Sequence, residues 1–260
     1  MSRQLPTEKM NTNSRKFVDH KNRLLFDSIV QRGYKITHNF QTQGWPNAYP
    51  PWLCENFDRK KKTVTIKYYE QNPKTFSYYT HELFHIDQID KVFLTNFELL
   101  EILTTTSTDY YPIGHINNII AHQKFYQDFI NLGYTPSEFV VDHDVNLIEE
   151  INNKVEGVKN NFTTKSQMEA SMADYIGMFF SFTFNPDDQN KYTKQLHCFK
   201  QIDNQLYKTL DDNWNFWISS NSLDNLLFFK SLVKDLDIWR AQVYNKKKLT
   251  PTSANPFVFL

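Results

Sequence analysis

The sequence predicts an α+β protein: a small sheet containing residues 34–39 and 61–70, packed on a helix over about 75–90, with a mainly helical C-terminal region after it. Three stretches carry this reading. KKTVTIKYYE, residues 61–70, alternates and is rich in β-branched and aromatic side chains, the pattern of a half-buried strand. Asn72-Pro73 breaks that strand, and the residues from Thr75 to Asp90 then read as a helix containing the letters HELFH. From Pro186 to about Tyr244, polar and apolar residues mix at helical spacing with few breakers, as two or three helices would require.

The other elements follow in order. Residues 1–14 are polar and are expected to be disordered. In RKFVDHKNRLLFDSIVQRGY, Phe17, Leu24, Leu25, Ile29 and Val30 fall at helical spacing, with Gly33 as the stop. YKITHNF reads as a strand, and residues 41–57, which contain Pro46, Pro50 and Pro51, read as a loop. FELLEIL is a further helical piece, and IGHINNIIAHQKFYQDFINLGY is a long helix stopped at Gly133. The acidic, amide-rich stretch 142–161 has no clear assignment, whereas SQMEASMADYIGMFFSF, residues 166–182, is helical. The expected organisation is a domain over 15–182 carrying the HELFH letters, a helical region over 183–245 and a tail over 246–260.

Composition narrows the function. With 40% apolar and 22% charged residues the chain is globular, and its 260 residues can bury a sizeable core. Lys plus Arg and Asp plus Glu both number 29, so the basic footprint of a nucleic-acid binder is missing. RKKK at 59–62 and NKKK at 245–248 are short enough to be solvated loop charges. Two distant cysteines, Cys54 and Cys198, point to free thiols in a reducing compartment. The N-terminal residues lack the apolar core of a signal peptide, and no run reaches the roughly 18 apolar residues of a membrane span. A cytoplasmic location without membrane contact is the expectation.

The chemistry concentrates in HELFH, residues 81–85. On a helix His81 and His85 share one face, with Cβ atoms roughly 5–6 Å apart, so two ring nitrogens can converge on one zinc ion (Zn2+) at about 2.0–2.1 Å. Glu82 is rotated by about 100° and stands beside the metal, where it can take a proton from an attacking water. Chance alone gives about 0.01 such motifs in a chain of this composition.

THELFHIDQ resembles the active-site helix of the HExxH zinc metallopeptidases, the zincins. IDQIDKV follows His85 and has neither the glycine nor the third histidine of the metzincins, so the likeness is to a gluzincin-like arrangement with a third ligand on a later helix. Residues 60–142 are also similar to short HExxH-domain proteins of bacteria, in which a later helix carries N-x-x-E-H and then G-[YF]. Asn118, His122, Gly133 and Tyr134 match that pattern, while Ala121 replaces its Glu. The resemblance implies a zinc-dependent hydrolase of peptide or other amide bonds, acting on a peptide or protein. Its ligands would be His81, His85 and His122, with Glu82 as general base.

Other residues compete for the third position. His115, Asn118 and His122 form a polar stripe that a solvent-facing side of a helix would also show. EASMADYIG resembles a thermolysin-like helix in which Glu169 would bind zinc, but Asp174 follows at five residues where the shared face needs four. Glu98 and Glu101 lie close after the motif, and Asp142-His143-Asp144 has ligand-type side chains that diverge on any regular element. Tyr78, Tyr79, Tyr110 and Tyr111 are candidates for an oxyanion donor. Two other readings remain: a zincin-like module that binds metal without catalysis, and a metal-free helical binding protein.

Overall fold

The computed structural model describes residues 14–40, 52–68, 75–103, 110–139, 148–162, 165–186, 188 and 190–247. The expectations for residues 1–13, for the 41–51 part of the proline-rich segment, for Asp142-His143-Asp144 and for the tail from 248 fall outside them. The fold is α+β: a three-stranded sheet, then mostly helices. Helices α1 (Arg23–Gln31), α2 (Thr75–Lys91), α3 (Asn96–Leu103) and α4 (Tyr110–Asn131) are followed by α5 (Ile148–Asn161), α6 (Lys165–Thr183), α7 (Thr193–Ile202), α8 (Asn204–Ser219) and α9 (Asn225–Lys247). Contacts group the chain into two compact units, Met1–Lys91 with Phe125–Val145, and Val92–Lys124 with Asn146–Leu260. Among the described residues no helix is long and apolar enough to cross a membrane.

In the first unit the strands are β1 (Lys35–Phe40), β2 (Trp52–Asp58) and β3 (Thr63–Tyr68), in the order β1-β3-β2. Central β3 is parallel to β1, pairing Ile36 with Val64, and antiparallel to β2, pairing Cys54 with Ile66. Strand β2 corrects the expectation of a loop over 41–57. A register shift between Glu55 and Asp58, with Asn56 at φ 51°, interrupts the alternation that would have marked it. The prolines end just before it, and an edge strand tolerates a proline at its entrance.

The first expected helix also divides, into a 3-10 turn at Ser14–Phe17 and then α1. Asp19 Oδ1 accepts from the backbone N–H groups of Lys21 and Asn22, and Asn22 Oδ1 accepts from that of Asp19. Side chains that satisfy the backbone locally in this way compete with a continuous helix. Gly33, at φ 95°, ends α1 as expected, its N–H meeting the Val30 carbonyl. Residues 142–161 acquire an assignment from 148 onward, where α5 buries Ile151, Val155 and Val158.

Val64, Ile66 and Tyr68 alternate inward from β3 and meet Tyr79, Leu83 and Ile86 of α2 in one core. At 100° per residue those three α2 positions lie within about 60° of each other, while His81 and His85 fall on the opposite side. Each buried side chain of the sheet-facing stripe contributes about 1.5–3 kcal/mol. The sheet therefore fixes the rotation of α2, and that rotation turns both histidines away from it.

The second unit is helical. Asn225 Nδ2 donates to the Leu94 carbonyl and to Asn117 Oδ1, while its Oδ1 accepts the Leu94 N–H. This buried amide group ties α4 and α9 to the turn that precedes α3. Asp203 caps α8 by accepting from the N–H groups of Gln205 and Leu206.

Candidate metal centre

The helix α2 that carries HELFH is held from behind by Thr80. Its hydroxyl donates to the Phe76 carbonyl at 2.7 Å and accepts from Asn22 Nδ2 at 3.0 Å. With its one proton used there, it also accepts from the Tyr134 hydroxyl at 2.9 Å. Burial pushes the Tyr134 phenol up to about 12, so it stays a donor. Tyr134 thus has a structural part: it fixes the helix that bears the histidines.

On the other side of α2, His81 Nε2 and His85 Nε2 are 3.1 Å apart. Their ring planes are inclined at 65°. Which ring donates depends on the tautomer, and two Nε2 atoms this close could both turn a lone pair toward one metal ion. Tetrahedral zinc with bonds of about 2.0–2.1 Å separates its nitrogen ligands by about 3.3 Å, so this edge already has the required length.

Phe125 of α4 meets both rings edge-on, with centroids 5.2 Å from His81 and 5.1 Å from His85. Phe139 stands 5.1 Å from the His81 ring and 5.6 Å from Phe125. His122 lies three residues before Phe125 on one continuous helix and so shares its face. One ring nitrogen each from His81, His85 and His122 lies within 4.8 Å of the others. Three close histidines of this kind can hold a metal ion. Gathering them to tetrahedral edges asks for movements of at most about 1.5 Å.

Electrostatics favour the ligand form of the histidines. Burial, reinforced by the neighbouring His85, holds His81 well below its ordinary range. Burial lowers His85 to about 4. Both rings are therefore neutral at neutral pH and offer a lone pair, as metal binding requires. His81 is 4% exposed, Glu82 6% and His122 2%, and His85 is the most open of the four.

The remaining candidates whose side chains are described fall elsewhere. His115, seven residues before His122, has its Nε2 2.6 Å from Ser181 Oγ of α6, so the expected polar stripe on α4 divides between two tasks. Glu98 accepts from both the N–H and the hydroxyl of Thr95 at 2.8 Å, which caps α3. Glu101 is exposed. Tyr79 is buried in the sheet-side core. The side chains of Glu169, Tyr110 and Tyr111 lie outside the described ones. Cys54 and Cys198 are not joined in a disulfide. No protein-family model, curated protein or solved structure matches this chain.

No motif in the sequence singles out Phe125, Phe139 or Thr80. Helical spacing from His122 and from His81 was the available signal, but it names a face without saying what that face meets.

Proposed function

We propose that this protein is a zinc-dependent hydrolase of peptide or other amide bonds, with His81, His85 and His122 as ligands and Glu82 as general base. The observation that carries the reading is the approach of His122, 37 residues beyond His85 in the chain, to within 4.8 Å of the HELFH pair. Three imidazoles would hold the ion, and zinc bound there would supply a Lewis acid and lower the pKa of a water towards about 7.

Glu82 follows His81 on α2 and is turned about 100° from it, so its carboxylate flanks the ligand set. From that flank it takes the proton released by the attacking water and passes it to the leaving amine. At 6% exposure the side chain is shielded from bulk water, which would otherwise compete for that proton. The same depth of Glu82, His81 and His122 supports a second reading, a metal-binding module that does not hydrolyse anything.

Glu82→Gln separates the two. The amide keeps the shape of the side chain and removes its basicity. In a screen against a library of quenched fluorogenic peptides, the variant should keep its zinc and lose about 100- to 10,000-fold in turnover. Zinc binding with no cleavage by the wild type selects the non-catalytic module. Unchanged turnover in Glu82→Gln removes Glu82 from the mechanism.

A further inference from the structure

Helix α4 is gripped on both sides of His122 by one neighbour in the second unit. The Trp217 indole donates its Nε1 proton to the Ile120 carbonyl at 3.0 Å, two residues before the histidine. Two residues after it, the Lys124 ammonium donates to the Trp217 carbonyl at 2.7 Å and to the Ser220 carbonyl. The same ammonium lies 4.4 Å from the centroid of the Trp217 ring. The last carbonyls of α8 thereby receive a cation where the helix end is electronegative. Trp217 is 1% exposed, and Phe228 packs on its ring at 5.5 Å.

A hydrogen bond from a side chain to a mid-helix carbonyl is not needed by the helix, whose i+4 N–H already serves that carbonyl. A second bond, from Lys124 back to the donor residue, closes a reciprocal clamp. The clamp covers one turn of α4, and His122 is its middle residue. His81 and His85 need no such device, because i, i+4 spacing on one helix brings them together. A third ligand from another element has its place set only by tertiary contacts, and this clamp is a contact within two residues of it on either side.

We infer that Trp217 and Lys124 are positioning residues for the third histidine: they fix the turn of α4 that presents His122 to the metal. This rests on the proposed three-histidine site, and deepens it by naming what sets the site's least local ligand. Groups bonded directly to a metal ligand are typically worth about 10- to 100-fold in metal affinity, and the clamp reaches His122 through one turn of backbone, which sets the lower end of that range as its expected effect.

The test measures zinc affinity of the full chain by competition with a chromophoric chelator, and the visible spectrum of the cobalt-substituted protein. Trp217→Phe keeps an aromatic ring and removes the donor together with part of the buried indole, whereas Lys124→Met keeps the stem and removes only the ammonium. Tyr175→Phe is the control, since its hydroxyl donates to the Phe199 carbonyl at 2.8 Å in the same unit. Trp217→Phe and Lys124→Met should each weaken zinc binding about tenfold or more and reduce the intense cobalt absorption of a tetrahedral site, with Tyr175→Phe matching wild type. Wild-type affinity and spectrum in both clamp variants overturn the inference and leave the zinc site standing. Equal weakening in Tyr175→Phe also overturns it, as general destabilisation. A wild type that binds no zinc overturns the site and the inference together.

Discussion

Helices α2 and α4 each carry two histidines, and the contrast between them shows how local and non-local placement differ. His81 and His85 are one turn apart, and the 3.1 Å between their Nε2 atoms follows from helix geometry once α2 forms. His115 and His122 are seven apart and have different partners: Ser181 for one, the α2 pair for the other. A spacing of four makes a pair by itself, whereas a spacing of seven leaves each residue to its own neighbours. Two of the three candidate ligands are therefore set by one helix, and the third depends on packing.

The largest effect that sharpens this contrast comes from exchanging the α4 histidines one at a time. His122→Ala should weaken zinc binding by more than the roughly 100-fold that marks the upper end for outer partners of a ligand. His115→Ala should keep zinc and instead cost about 0.5–1.5 kcal/mol of stability, because the bond to Ser181 is lost while the Ser181 hydroxyl still donates to the Gly177 carbonyl. Chelator competition and urea denaturation measure the two. Equal zinc loss in both variants would break the division of tasks.

That contrast also explains what could be read in the sequence. HELFH, its helix, the strands at 35–40 and 63–68 and the two glycine stops were legible because each depends on spacing or on one residue's backbone freedom. Strand β2 was not, since a bulge at Asn56 hides its period and nearby prolines suggest a loop. The division of the first helix was hidden because Asp19 and Asn22 act through side-chain bonds that apolar spacing does not register. For the site, His122 was legible as one of several candidates. Phe125, which packs on both rings of the pair, and Trp217, nearly a hundred residues beyond His122, belong to packing that no local pattern encodes.

A smaller effect separates the two α4 histidines by pH. Burial lowers His115 from its ordinary 6.5 to about 4. Between those values the unfolded chain takes up a proton that the folded chain refuses, so stability is intact above pH 6.5 and falls as the pH drops towards 4. Substituting His115→Gln removes the titrating group and should flatten part of that fall in the zinc-loaded protein. Denaturant midpoints from pH 7 to 4 give the comparison, and an unchanged slope in the variant would assign the acid sensitivity to other groups.

The most direct test of the central claim is the metal content of protein purified without chelator, beside a His81→Ala, His85→Ala double variant. Three histidines acting as one site predict about one zinc per wild-type chain and essentially none in the double variant. Metal-free wild type, or a full complement of zinc in the double variant, would contradict the account.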